Sequence, residues 1–238
     1  SAPVTTIRIV YQDGETLALR GSGGTLGWTT GVEMVAMGGG VYELRTTEIT
    51  TPLEWKPLLD DATWALGPNY HVEPGQTIEV APHFSATAGR VIALADLAST
   101  TLGSPHPIWA YLPPVYDENT AARLPVVYMH DGQNLFDPAL AFGGAEWGVD
   151  ETFDTAAGEG TCPDGSSCQS DGDCGTARCD TFREAIVIGV GNTADRILEY
   201  TPTVDASIGD GGDADVYLAA LVDELKPTID GSMRTLTT

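Results

Sequence analysis

Two kinds of hydrophobic pattern divide the chain. Over the N-terminal part, apolar positions come in short β-favouring runs at residues 6–10, 17–19, 41–45, 53–58 and 77–80. Turn material separates them: Asp13-Gly14, Gly21-Ser22-Gly23-Gly24, Gly38-Gly39-Gly40 and Pro74-Gly75. No helical period runs through these segments, so they predict a small antiparallel sandwich. Past a small, polar stretch at 85–89 the pattern changes. Residues 91–94 and 108–112 read as an antiparallel strand pair. Residues 126–130 and 185–190 are continuous apolar runs, each breaking into a polar, glycine-containing loop at its carboxyl end. Buried parallel strands open onto a ligand crevice in this way. Residues 149–157 predict a helix. A second helix is predicted at 214–225, where Val216, Leu218, Ala219, Leu221, Val222 and Leu225 recur at near-helical spacing behind Asp213 and Asp215. Pro227 lies just past its main apolar face, and no internal repeat occurs.

The pattern therefore predicts an α/β fold class with an all-β part in front. A β domain is expected at 1–87 and an α/β domain at 88–238, with an insert at 158–181. At 238 residues the chain can build one large core or two ordinary ones. No apolar run is long enough to span a membrane. Eleven basic residues against 34 acidic ones leave a net charge of −23, and Lys56 and Lys226 are the only lysines. A field of that sign repels phosphate backbones, which argues against a nucleic-acid partner. The acidity reads as a solubility device, with calcium binding by Asp-rich loops as the sharper alternative. The pattern asks for no cofactor and no resident metal.

All four cysteines, Cys162, Cys168, Cys174 and Cys179, fall in one Gly/Asp/Ser-rich segment with almost no apolar residues. Such a loop builds no core of its own, and an even count predicts a disulfide staple in place of packing. Four thiols allow three pairings, which the spacing leaves open. Zinc is the alternative, but the spacing lacks the C-x-x-C pairs that suit a tetrahedral ion. Disulfides imply an oxidising compartment, secreted or periplasmic.

The wording of the α/β part, L-P-V-V-Y-M-H-D-G-Q-N-L-F-D and later A-I-V-I-G-V-G-N-T-A-D-R-I-L-E-Y-T-P, resembles the esterase D and enterochelin-esterase family of α/β-hydrolases. The resemblance runs from about residue 90 to the end and covers the upstream part of that domain. It implies a carboxylic-ester hydrolase using a serine nucleophile, a histidine base and an acid. The G-x-S-x-G elbow that presents the nucleophile in such folds is absent. The triad is therefore expected outside this chain, on the C-terminal remainder of the same domain as a second polypeptide. Residues 233–238 read as the approach to the elbow strand.

The resemblance further implies that the loop Gly132-Gln133-Asn134 supplies an oxyanion donor, with Gln133 the best candidate and Gly132 letting backbone approach substrate. Alternatively, D-G-Q-N is a tight turn with Asn134 capping the next segment. Arg196, Glu199 and Tyr200 are expected to line or brace the cleft, or else Arg196 and Glu199 form an ion pair that holds their loop. Trp147 is placed at the helix start near the pocket, and as a lone Trp it is expected in the core. His130 reads as structural rather than as the base. The N-terminal segment is similar to starch-binding carbohydrate-binding modules, with an immunoglobulin-like sandwich implied. That resemblance assigns Trp28, Trp64 and Lys56 to a sugar site, with Asn69 beside them, since flat sugar faces stack on aromatic rings. The contrary reading is a buttress with both Trp in its core. The expected substrate is an ester, free or glycan-linked; the alternative function is a non-catalytic secreted glycan-binding protein.

Overall fold

The computed structural model describes residues 2–237. It divides into two compact units, neither of them continuous in sequence: residues to Gly89 with Pro113–Ala122 and Thr152–Glu184, and Arg90–Leu112 with Arg123–Glu151 and the residues from Ala185 on.

In the N-terminal segment of the first unit nine strands come in order: β1 Thr5–Val10, β2 Leu17–Gly21, β3 Val32–Glu33, β4 Val35–Gly38, β5 Val41–Thr46, β6 Leu53–Leu59, β7 Thr63–Trp64, β8 Tyr70–Val72 and β9 Thr77–Val80. They form two sheets, one ordered β4-β5-β1-β9 and the other β3-β2-β6-β7 with β8 also on β6. Alternation decides which side chains meet. Ile7 and Ile9 of β1, Leu17 and Leu19 of β2, Tyr42 of β5, and Leu53 and Trp55 of β6 face one shared buried cluster. Trp55 is wholly buried and stacks on Tyr70 at 5.0 Å. One pair departs from the antiparallel expectation: β9 runs parallel to β1, with Ile7 opposite Ile78. A parallel pair needs a long connection, and β2 to β8 all lie between these two strands.

The short helix α1, Pro114–Glu118, belongs to this unit although it comes from the middle of the chain. Its last residue explains why. The Glu118 carboxylate accepts the N–H groups of Phe84 (2.5 Å), Ser85 (2.8 Å) and Ala86 (2.7 Å) and the Ser85 hydroxyl (2.7 Å). Next to it the wholly buried Asn119 donates to the carbonyls of Val10 and Pro82.

After helix α2, Val149–Gly158, comes the insert. It holds a small hairpin, β13 Gly160–Thr161 with β14 Ser167–Cys168, and a 3-10 turn at Asp171–Cys174. The structure selects the pairing Cys162–Cys174 and Cys168–Cys179 and leaves no free thiol, so these sulfurs hold no zinc. Three of the cysteines are buried against one another, as expected where covalent links replace an apolar core.

The second unit is built on a four-stranded mixed sheet of β10 Arg90–Ala93, β11 Ile108–Leu112, β12 Val126–His130 and β15 Ile186–Val190, in the order β10-β11-β15-β12. β11 is antiparallel to both its neighbours, and β12 is parallel to β15. Every residue of β15 is buried, as its apolar run predicts. β12 is not: Val127 is 39% exposed, because the strand lies at the edge of the order. Helix α3 spans Arg196–Tyr200, and a hairpin of β16 Val204–Asp205 with β17 Asp210–Gly211 comes next. α4 is Ala214–Ala220; a π-helical turn at Leu221–Leu225 leads into α5, Lys226–Ser232.

Helical structure thus runs seven residues past the predicted end. Pro227 sits in the first turn of α5, where its missing N–H costs little. Tyr217, Ala220, Leu221, Leu225 and Ile229 are the buried face. Beyond α5 the chain turns back to the sheet: Leu124 N–H bonds the Arg234 carbonyl (3.0 Å), and Leu236 N–H bonds the Leu124 carbonyl (2.8 Å). Leu124 and Thr235 form an isolated parallel bridge within the segment 233–238 that was expected to approach a further strand; Thr238 itself lies outside the described residues.

Candidate functional site

The polar loops after β12 and β15 meet in the second unit. They pack closely because both carry glycine at the contact. A Cβ on Gly132 would fall 2.5 Å from the Gly189 carbonyl carbon and 2.8 Å from both Gly189 O and Val190 N. Glycine is therefore required at 132 to admit a neighbouring strand, whatever part it takes in the substrate approach that the resemblance implies. The side of Gly132 that a Cβ would occupy is filled by β15.

Polar groups stitch the loops together. Asp131 takes a left-handed conformation (φ 55°) and accepts two bonds from Arg196, Nη2 at 2.9 Å and Nε at 3.0 Å. Asn192 Nδ2 donates to the same carboxylate at 2.6 Å. The Arg196 guanidinium holds the Asp131 carboxyl below its usual range against the opposing effect of burial, and Asn192 adds to this. Asn192 also donates its N–H to Gln133 Oε1 at 3.1 Å. The Gln133 side chain is thereby fixed as a bridge between the loops.

This corrects the alternative in which Arg196 pairs with Glu199. Arg196 reaches back to Asp131 and lies over the Tyr200 ring at 5.0 Å. Glu199 is buried and instead faces the wholly buried His106 (Nε2 to Oε2, 3.0 Å), with the Thr193 hydroxyl also donating at 3.4 Å. Neither Asp131 nor Asn192 was singled out in the sequence, although both sit inside the two motifs. His106 gave no sequence signal, since its partner is ninety-three residues away. His130 bonds the Tyr217 hydroxyl through Nδ1 (3.0 Å) and touches the Tyr200 ring. Burial pushes the hydroxyls of Tyr200 and Tyr217 above the usual phenol range.

A cavity of about 300 Å³ opens at Gly132 and Gln133, walled by Val91, Ala93, Trp109, Phe136 and Leu140. Asn134 holds the next loop: its side-chain oxygen accepts the Phe142 N–H and its carbonyl accepts the Trp147 N–H, both at 2.8 Å. The loop leaves Phe142 92% and Trp147 56% exposed, so Trp147 is not a core residue. Its backbone is drawn in by Asn134 while its ring stays outside.

Behind that loop Glu146, Asp150 and Glu151 place three carboxylates within 4.8 Å of one another. Burial, reinforced by the Glu151 and Glu146 charges, raises the Asp150 pKa to about 6. A carboxyl that titrates higher in the folded than in the unfolded state weakens folding as pH climbs past its unfolded value, with full effect above its folded one. Asp150→Asn is therefore expected to raise the melting temperature at about pH 8 and to leave it unchanged near pH 4. An equal shift at both pH values would refute this origin.

The candidate sugar-binding residues all lie in the first unit. Trp28 and Trp64 are each 39% exposed, with ring centroids 6.2 Å apart, and neither is a core residue. Arg20 lies over the Trp64 ring at 5.3 Å, tied to Asp61 at 2.8 Å. The Lys56 side chain is engaged elsewhere, and Asn69 is held through its backbone. The Lys56 ammonium bonds the Gly67 carbonyl and lines a separate cavity of about 330 Å³ with His83, Thr87 and Gln169. Burial lowers its pKa. Asn69 gives its N–H to the Gln169 carbonyl of the insert.

No family model matches the chain, and no curated protein matches it. Among solved structures it is similar to an IroE-like serine hydrolase from Shewanella oneidensis, at 22% identity over 62% of this chain and 39% of that one, with TM-score 0.40. It is also similar to the BES protein from Bacillus cereus, at 20% identity over 67% of this chain and 52% of that one, with TM-score 0.38. A third similar structure is a ferulic acid esterase, at 19% identity over 64% and 46%, with TM-score 0.35. The chain thus spans from about two fifths to about half the length of these structures. At such TM-scores the likenesses decide nothing about the chemistry of this chain.

Proposed function

We propose that this chain is the front portion of a carboxylic-ester hydrolase of the serine type, related to the esterase D and enterochelin-esterase group. One observation carries the reading. Two neighbouring parallel strands, β12 and β15, end in loops joined through Asp131, Arg196, Asn192 and Gln133, and a cavity opens beside Gln133. Ligand sites of open α/β sheets form at such carboxyl ends. In this reading Gln133 offers the oxyanion donor, and Arg196, stacked on Tyr200, braces the Asp131 loop that leads into it. Glu199, buried on His106, positions α3 rather than meeting substrate.

The serine, its histidine and its acid come from a segment carrying G-x-S-x-G, continuous with this chain or separate, that joins the sheet where Thr235 pairs with Leu124. Two stapled disulfides, and the lack among the described residues of any helix able to cross a membrane, agree with a secreted or periplasmic setting. Purified material would be offered short p-nitrophenyl esters, acetylated and feruloylated glycans and a fluorophosphonate label, and the labelled peptide would be sequenced. Hydrolysis with the label on a G-x-S-x-G serine is the expected result. A labelled peptide from another protein fold, or no hydrolysis by any species containing this chain, would end the proposal.

The exposed Trp28–Trp64 pair favours a second reading for the first unit: two sheets closing on one core support a carbohydrate-binding sandwich. Pull-down on insoluble starch is then expected to fall when either Trp is replaced by Ala. Equal retention by wild type and both variants would remove the reading.

A further inference from the structure

We propose that Glu54, His71 and Asp171 form a binding site for a divalent transition metal of the zinc type. Glu54 on β6 and His71 on β8 are direct partners across the strand pair, so their side chains leave the same face of the sheet. Asp171 comes from the stapled insert, a hundred residues further on. His71 Nε2 lies 2.8 Å from Asp171 Oδ1, and the Asp171 N–H donates to Glu54 Oε1 at 2.8 Å. One donor atom from each of the three side chains falls within 4.8 Å of the others.

The hydrogen bonds hold this triad together but place no fixed cation beside its two carboxylates. A neutral His71 has one proton at Nε2, which serves Asp171 and leaves two carboxylates sharing a small space in a chain of charge −23. A dication at Nε2, with the ring proton moved through solvent to Nδ1, neutralises both carboxylates and keeps the imidazole as a neutral ligand. Three protein ligands plus an open position suit zinc, at roughly 2.0–2.2 Å per bond. Calcium and magnesium prefer oxygen ligands throughout, so the imidazole selects against them.

The frame is rigid where it must be. Asp171 Oδ1 also receives the Cys179 N–H at 2.8 Å, and Cys179 is bridged to Cys168. The His71 side chain is only 11% exposed, while Asp171 remains 41% exposed and gives an ion its entry. No other histidine competes on these terms. His83 is held by Glu184, His106 is buried on Glu199, and His130 faces a tyrosine hydroxyl. A bound ion would clamp the insert, which has no apolar core, onto β6 and β8.

The test is calorimetric titration of ZnCl2 into the oxidised, chelator-stripped full chain at about pH 7.5, with melting temperature measured in parallel. A single equivalent is expected to bind and raise the melting temperature, reversibly with EDTA. His71→Ala and Asp171→Asn are each expected to lower affinity by more than the roughly tenfold that even an outer-shell loss costs. His130→Ala is expected to leave it unchanged. Because His71→Ala removes the hydrogen bond to Asp171 and can lower stability by itself, circular dichroism must show the variant folded, and Glu54→Gln provides an independent ligand deletion. Absence of stoichiometric binding, or full affinity retained in folded His71→Ala or Glu54→Gln, would overturn the proposal.

Discussion

Gly132→Ala is expected to destabilise the second unit by about 3 kcal/mol, at the upper end of what overpacking a core costs. The new methyl would meet the Gly189 carbonyl carbon at 2.5 Å and the Val190 nitrogen at 2.8 Å, both of them backbone atoms of the buried strand β15. Side chains swing away from such overlaps. A central strand held on both sides cannot, because moving it breaks its ladders to β11 and β12. The reciprocal change is milder. A methyl on Gly189 would meet the Leu135 Cδ1 at 2.9 Å, a flexible tip, before it meets the Gly132 Cα at 3.1 Å. Urea unfolding combined with hydrogen exchange of the β15 amides measures both variants. Should Gly132→Ala fall within about 0.5 kcal/mol of wild type, the close approach of the two loops is wrong, and the crevice built on it falls too.

Glu118→Ala is expected to cost the first unit a similar amount, about 3 kcal/mol, for the opposite reason: it empties a place that must be filled. Three consecutive backbone N–H groups, from Phe84, Ser85 and Ala86, point at this one carboxylate, and the Tyr11 hydroxyl joins them at 3.3 Å. Water reaches the exposed side of Ser85 and offsets part of the loss, which keeps the figure well below the sum of five charge-assisted bonds.

Acid is the diagnostic condition. Burial acts to raise the Glu118 pKa, but the bonds from Ser85, Ala86 and Phe84 outweigh it and hold the carboxyl below the ordinary range. A group shifted in that direction contributes fully above its unfolded pKa and loses its contribution as pH drops through the folded one. Wild type and Glu118→Ala are therefore expected to differ most near neutrality and to converge in acid. The same contact pushes the Tyr11 pKa up to about 12, burial first and the Glu118 charge second, so Tyr11 is expected to titrate lower in Glu118→Ala. A stability difference independent of pH would show that the variant acts by lost packing alone.

What was legible in the amino-acid order was whatever depends on near neighbours. The strands predicted at 77–80, 108–112 and 126–130 match the observed ones end to end, since two-residue alternation, continuous apolar runs and Gly/Pro punctuation act within a few residues. The helix at 149–157 and the start of α4 arise from the same kind of local signal. Where periodicity and backbone chemistry compete, sequence reading loses: Pro227 signalled an end, yet the π turn before it lets the helix resume.

Partner choice was decided only by the fold. The sequence offered Arg196 a glutamate three residues away, but helix α3 turns Glu199 inward to His106 and leaves Arg196 to Asp131, on the loop of another strand. Spacing left three disulfide pairings equal until the hairpin of the insert brought Cys168 to Cys179. Glycine at 132 looked like an invitation to substrate, and only the register of β12 on β15 showed which backbone occupies that space. Local order thus determined the elements and the turns between them, through forces that reach a few residues along the chain. The contacts that make a site, Asp131 with Arg196 and Glu54 and His71 with Asp171, were settled by packing between segments far apart in sequence, because burial and charge act through space.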